Sequence, residues 1–276
     1  MTFPLRDAVA VVTGAAGGIG AALTLEPASR GCHLALVDRD RDALAAVVTA
    51  AKRSVAVSAH VADVADPAAA TSLRDAVLAE HGRVSVLVNN AGVALIGRFE
   101  ELEIAEMEWL FAVNFWGTVR MCKAFVPALR REPAARIVNL SSIFGVVAPA
   151  GQTAYAASKF AVRGFSEALR HELENTGIGV TTVHPGYVRT AIARSARVAA
   201  GTDPNEAAER IANFERMTGL TAEQAAQRIV VGIERRQKRI LIGRDAVRLD
   251  WMARILPVSY WPLMKRRAAR LAQESS

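Results

Sequence analysis

The chain has 276 residues, about half of them apolar, and a net charge of +7 from 34 Lys+Arg against 27 Asp+Glu. That balance excludes global disorder, and Cys32 and Cys122 are too few for a disulfide framework or a cysteine-rich zinc site. No apolar run reaches the ~18 residues of a membrane-spanning helix.

In chain order, Ala8–Thr13 reads as a buried strand that runs into a glycine turn. No cleavage region follows this apolar stretch, so a signal peptide is not expected and the protein is read as cytoplasmic. A helix should follow the turn to about Arg30 and close at Gly31. Pro27 lies inside it, which predicts a kink or an early end near Glu26. His33–Val37 is a second strand, Asp42–Ala51 a helix, and Val55–Val61 a third strand. Pro67 opens a helix to His81, stopped by Gly82. Val84–Asn89 is strand four. A long helical pattern spans Ile104–Arg131, with Pro127 expected to bend its end. Arg136–Leu140 is strand five, Thr153–Asn175 a helix, and Gly179–Val183 strand six. Ala222–Arg236 is a helix and Arg239–Ile242 a seventh strand. Apolar strands alternating with helices predict an α/β protein with one parallel sheet covered on both faces. No repeat or linker divides the chain, so residues 1–276 form one domain.

The charge gathers at the end. From Arg228 onward the chain carries a net +8, and the part before it is nearly neutral. Trp251 and Trp261 lie in the same stretch. Such a segment suits either an anionic membrane surface or a helix packed on its own domain with arginine stems over apolar surface. No base-reading motif accompanies the charge, so nucleic acid is not an expected partner. Prolines at 257 and 262 should prevent one continuous helix. His33, His60, His81, His171 and His184 are scattered without ligand spacing, and no metal site is expected.

The glycine turn is Thr13-Gly14-Ala15-Ala16-Gly17-Gly18-Ile19-Gly20. Between a buried strand and a helix, such a turn lets the backbone approach a pyrophosphate while the helix N-terminus faces the negative charge. Asp38, at the end of strand two, can accept both adenosine ribose hydroxyls of NAD and would repel the 2′-phosphate of NADP. Arg39 complicates this, since a guanidinium pairs well with phosphate. Asp63, with Val64 beside it, follows strand three and is a candidate for the adenine; the alternative is a turn or helix cap before Pro67.

Tyr155 and Lys159 are four residues apart in a helical segment, hence on one face. A phenol of pKa about 10 must fall by about three units to exchange a proton near neutrality, and a nearby ammonium and a nicotinamide cation both act in that direction. Ser142 follows strand five at the sheet edge where ligands bind in open α/β folds. A plain amphipathic helix face is the alternative reading of the Tyr–Lys pair.

In this order and spacing the chain resembles the short-chain dehydrogenase/reductase family, from roughly Val9 to Thr190. The match comprises Thr13-Gly14-x-x-x-Gly18-x-Gly20, Asn89-Asn90-Ala91-Gly92, Asn114 within Val113-Asn114-Phe115-x-Gly117, Ser142, Tyr155-x-x-x-Lys159, and Pro185-Gly186-x-Val188-x-Thr190. The resemblance implies a Rossmann-type, doubly wound, seven-stranded sheet. It implies Tyr155 as general acid/base and Lys159 as the group that lowers its pKa and holds the nicotinamide ribose. Ser142 would polarise the carbonyl, and Asn114 would hold a water linking Lys159 to solvent. Asn90, Ala91 and Gly92 would line the adenosine side. Pro185, Gly186, Val188 and Thr190 would lie along the nicotinamide. The family also implies a homodimer or homotetramer paired through the two long helices.

Substrate choice would fall to a lid at about 190–217 and a C-terminal extension at about 244–276. The runs Ile143 to Ala148 and Val93 to Ile96 are apolar, which favours a lipophilic alcohol, ketone or aldehyde. The leading expectation is therefore an NAD-dependent oxidoreductase on such substrates, with the tail serving as a lid, as a peripheral membrane anchor or in ordinary packing. An NADPH-dependent carbonyl reductase, with Arg39 on the phosphate, is the second. A dinucleotide-sensing protein without turnover, or a membrane-binding protein, belongs to another class.

Overall fold

A computed structural model describes residues 2–51, 55–217 and 219–265. Seven parallel strands form the central sheet: β1 Val9–Thr13, β2 His33–Asp38, β3 Val57–Val61, β4 Val86–Asn89, β5 Ala135–Leu140, β6 Ile178–Pro185 and β7 Arg239–Ile242. Their order across the sheet is β7-β6-β5-β4-β1-β2-β3. The order reverses between β1 and β4, which pair through Ala10 with Val86 and Val12 with Val88. Ligands bind at that crevice in doubly wound sheets.

β1, β2 and β4 read as nearly unbroken apolar runs because both faces are covered, while the edge strand β3 alternates through Ser58 and His60. Ala10, Val12, Leu34, Leu36 and Val138 point to one face, against helices α1 (Gly18–Ala28), α2 (Arg41–Ala51) and α8 (Ala222–Glu234). Val11, Val37, Leu87 and Ile137 point to the other, against α3 (Ala69–His81), α5 (Thr118–Leu129) and the inner side of α6 (Thr153–Glu172). Cys32 and Cys122 are free and buried, and burial pushes both thiols up to about 12.

Several boundaries differ from the sequence-based expectation. α1 ends at Ala28, past Pro27 but short of Arg30. Proline is accommodated because it stands in the last turn, where its own carbonyl accepts from Arg30 N at 3.0 Å and Cys32 N at 3.1 Å. The pattern read as one helix over Ile104–Arg131 is three pieces: α4 Ile104–Phe111, a π-helical segment Ala112–Gly117, and α5. Pro127 does not break α5, which ends two residues later at Leu129. Two helices carried no clear signal: α7 (Pro204–Arg216) inside the lid, and α9 (Arg244–Ile255) opening the C-terminal extension. After α9 the chain turns through Pro257 and resumes helix over 260–265, so Pro257 interrupts it while Pro262 stands inside the resumed helix. The rest of the extension, 266–276, lies outside the described residues. Among the described residues no helix is long and apolar enough to cross a membrane.

Candidate active site

At the β1 end, Thr13 Oγ1 accepts the backbone N–H groups of Asn90 and Ala91, each at 3.1 Å. Asn90 Nδ2 donates back to the carbonyls of Thr13 and Gly14 at 3.0 Å. These bonds lock the glycine turn to the segment after β4. Gly14 has φ +65°, and a side chain there would lie 2.8 Å from the Ala91 Cα. Gly20 is stricter still: a Cβ would lie 1.9 Å from the Gly14 carbonyl oxygen. Gly17 faces open space, and Gly18 faces Thr190 from β6's exit loop. No acidic residue and no side-chain cap occupies the first turn of α1. The turn is therefore a free anion-binding helix start bounded by residues without side chains, which fits a dinucleotide pyrophosphate.

Asp38 closes the wall beside it. Its Oδ2 accepts from Ala16 N at 2.9 Å and its Oδ1 from Asp40 N at 3.1 Å. Arg39 lines the same cleft. Asp63 and Val64 do not line it. Asp63 accepts from Ala65 N at 2.8 Å in a tight turn, and Val64 packs where Gly117 leaves room for it. The turn reading of Asp63 is the one its bonds favour.

Tyr155 and Lys159 share the inner face of α6, as their spacing predicts. Lys159 is buried, with Nζ donating to Leu140 O at 3.1 Å and lying 5.7 Å from the Tyr155 ring centre. Burial lowers its pKa to about 8. Burial holds the Tyr155 phenol above its ordinary value, and the Ser142 hydroxyl pulls it back. The phenol ring stands edge-on to Phe144 at 6.3 Å. Ser142 also accepts from Phe144 N at 3.1 Å, fixing its side chain at the end of β5.

Asn114 sits in the π-helical segment, 1% exposed. Its amide brackets Val93, accepting from the N–H at 2.8 Å and donating to the carbonyl at 3.0 Å, and it donates to Ser158 Oγ at 3.2 Å. Single π-turns within helices commonly mark functional positions. Gly92 stands between Asn114 and Lys159: a Cβ there would be 3.2 Å from Asn114 Oδ1 and 3.3 Å from Lys159 Nζ. The missing side chain keeps that space clear beside the ammonium.

These groups open into one cleft of about 850 Å³, running from Asp38 past Gly14, Gly18 and Ile19 to Tyr155 and Ser142. Pro185, Gly186, Val188 and Thr190 line it, as do Asn90, Ala91 and Gly92. The far end is walled by Leu95, Ile96, Phe144, Ile192, Ile211 and Phe214. The lid is tied down there: Leu95–Ile96 pairs with Arg197–Val198, and Arg197 stacks over Trp109 at 4.0 Å. Arg210 of α7 donates to Glu101 at 3.4 Å and Glu206 at 2.7 Å.

Three residues outside the expected site set stand at or behind the cleft. Tyr187 lines the cleft and packs edge-on to Phe214 at 5.7 Å. Asp245, at the start of α9, accepts from Tyr187 N at 2.7 Å and occupies the space a Gly186 side chain would need. His184 is fully buried behind the site, with Nδ1 donating to Ser142 O at 3.0 Å. Only the fold brings these partners together.

Burial lowers the His184 pKa to about 4, below the ~6.5 of a free imidazole. The folded value lies below the unfolded one, so this contribution to stability is complete above about pH 6.5 and is lost as pH falls toward 4. The expected loss is about 3 kcal/mol for this side chain alone. Denaturant midpoints taken across that window should fall with pH, and His184→Asn should flatten the fall. An equally steep fall in the variant would discard His184 as its source. His60 and His81, both held at 2.8 Å by the Ser58 hydroxyl and both lowered by burial, would supply the slope that remains.

A family model described as short chain dehydrogenase matches residues 8–200. The chain belongs to the short-chain dehydrogenase/reductase family. Over 266 residues it is 43% identical to SadH of Mycobacterium tuberculosis, named as an oxidoreductase, covering 95% of each chain. It is 39% identical to the D-threitol dehydrogenase of Mycolicibacterium smegmatis over 70% of this chain and 75% of that one. It is similar to a crystal structure of a short-chain dehydrogenase/reductase from Burkholderia phymatum in complex with NAD, with TM-score 0.79 and 32% identity, over 87% of this chain and 90% of that one. The family assignment makes the chain an oxidoreductase acting on alcohol or carbonyl groups, with a nicotinamide dinucleotide as its cofactor.

Proposed function

We propose that this short-chain dehydrogenase interconverts a lipophilic alcohol and its carbonyl compound, with NAD as the preferred cofactor. The observation that carries the substrate class is the apolar part of the cleft that Tyr155 and Ser142 also line, formed by Leu95, Ile96, Phe144, Ile192, Ile211 and Phe214. Apolar lining with few convergent polar groups suits a ligand held by hydrophobic contact and oriented at one oxygen.

A bound nicotinamide would supply the hydride-transfer chemistry at the carbinol carbon. The protein's part is the proton and the geometry. Tyr155 takes the alcohol proton, or returns it to the carbonyl oxygen. Ser142 donates to that same oxygen and holds it beside the phenol. Lys159 favours the phenolate by its charge. Asn114 and Gly92 keep a route for a water to Lys159. Gly14, Gly17 and Gly18 with Ile19 hold the pyrophosphate, and Asp38 the adenosine ribose. Val188 and Thr190 fix the carboxamide side.

Initial rates with a graded series of straight-chain alcohols test this reading. Each buried methylene contributes about 0.8 kcal/mol, so kcat/KM should rise roughly three- to fourfold per carbon until the pocket is full. A preference for polyols of the threitol kind over alkanols would overturn the lipophilic assignment.

A homo-oligomer paired through the helices around α4 and α6 is part of the proposal. Ile104, Trp116 and Phe160 on these elements are exposed, at 66%, 49% and 39%, and such residues suit a subunit contact.

A further inference from the structure

One helix face has no partner among the described residues. α9 buries Ala246 and Asp250, and Ala246, Leu249 and Ala253 pack with Ile143, Val146 and Val147, the segment that follows Ser142. The opposite face carries Val247, Trp251 and Ile255, exposed 40%, 62% and 69%. A spacing of four residues lines these up in one stripe. Arg244, Arg248 and Arg254 are exposed beside it. In the turn after α9, Val258 is 88% exposed.

The acids of the segment are turned away from this face. Asp245 is held by Tyr187 N, and Asp250 is gripped by Arg239 at 2.8 Å and Arg254 at 3.1 Å. Arg244 and Arg248 are left with no ion-pair partner among the described residues. The sequence continues through Lys265, Arg266, Arg267 and Arg270 with one acid, Glu274, beyond them.

We propose that this face seats the protein on an anionic lipid bilayer. Tryptophan flanked by aliphatic side chains fits the headgroup level of a bilayer, and the flanking guanidinium groups meet lipid phosphate. A second copy of the chain is a poorer occupant, because a two-fold contact through this stripe would gather Arg244 and Arg248 of both copies with no acid of the stripe to meet them. A bilayer carrying anionic lipid presents the opposite charge. The purpose of the docking rests on the proposed lipophilic substrate: the inner face of α9 packs on the segment that carries Phe144 of the cleft wall.

The test is sedimentation of the full-length protein with vesicles of phosphatidylcholine alone, or mixed with phosphatidylglycerol, with indole emission recorded alongside. The expected result is binding to the mixed vesicles, weakened by salt, with a blue shift of the emission. Trp251→Ala with Ile255→Ser should lower the partition roughly tenfold, and Arg248→Glu by at least about fivefold. Both variants should keep wild-type NAD-linked turnover in the absence of vesicles. No binding to the mixed vesicles, or equal binding by the variants, would overturn the proposal. So would variants that leave the partition intact and instead change the oligomeric state, which would assign the face to a second copy. Vesicle partition is read without turnover, so the two readings fail separately. Lost binding with lipophilic turnover intact removes only the docking. Binding without such turnover removes only the substrate assignment.

Discussion

Tyr155→Phe should lower kcat by roughly 10²–10⁴-fold, the span a positioned acid/base contributes, and leave cofactor affinity unchanged. The substitution removes one oxygen and keeps the ring. The edge-on contact with Phe144 at 6.3 Å survives, so the wall of the cleft should not collapse. What is lost is the hydroxyl that bonds Ser142 and carries the substrate proton in the proposed arrangement. The pH dependence follows in sign. Alcohol oxidation uses the phenolate, so its rate should rise with pH, and carbonyl reduction should fall. Burial holds the phenol above its ordinary value in the free protein, so the rise depends on charge from Lys159 and the bound cofactor. Removing that charge with Lys159→Met should move the rise to higher pH as well as slow the reaction. Initial rates between about pH 6 and 10, in both directions, read both effects. A Phe variant within tenfold of wild type would remove Tyr155 from the proton step. A Phe variant that also failed to bind cofactor would show damage to the fold, and Tyr155→His, a second proton carrier of another size, should then fail to restore any rate.

The sheet was legible because parallel strands buried on both faces leave apolar runs, as in β1, β2 and β4, and because the edge strand β3 alternates. The glycine turn was legible because Gly14 and Gly20 are sites where a side chain would strike backbone. The Tyr155–Lys159 pair was legible from helical spacing. The π-helical segment was hidden, because Ala112–Gly117 keeps an apolar helical pattern and its distortion comes from tertiary bonds of Asn114 to Val93. α7 was hidden by its polar, Arg- and Glu-rich surface, with Ala207 its one buried residue. The contacts of Tyr187, His184 and Asp245 were hidden for another reason. Each acts through a partner far away in the chain: Phe214, Ser142 and the Tyr187 amide. Asp63 stayed two-sided in the sequence, since an aspartate after a strand serves a turn as readily as a ligand, and its bond from Ala65 N is the turn contact.

The wild-type protein should bind NAD about 10²-fold more tightly than NADP, and Asp38→Ser should erase most of that ratio. Both Asp38 oxygens are already anchored, one to Ala16 N of the glycine turn and one to Asp40 N. The carboxylate therefore cannot swing away from a ligand on the cleft wall. Its remaining lone pairs can still accept two ribose hydroxyls. A 2′-phosphate at the same place would meet Asp38 and Asp40 together, against the single cation Arg39. Like charges held in contact cost several kcal/mol, and about 3 kcal/mol corresponds to the ratio expected. In Asp38→Ser the hydroxyl can still accept one bond, but the repulsion is gone. Arg39 is then free to pair with the phosphate, so NADP affinity should rise while NAD affinity falls. Adding Arg39→Ala to that variant should weaken NADP again and leave NAD little changed. Fluorescence titration of both cofactors at fixed ionic strength measures all of this, and higher salt should narrow the wild-type ratio by screening. A wild-type preference for NADP would reverse the assignment. Arg39 would then outweigh two carboxylates, Arg39→Ala alone would abolish the preference, and carbonyl reduction would become the direction to assay.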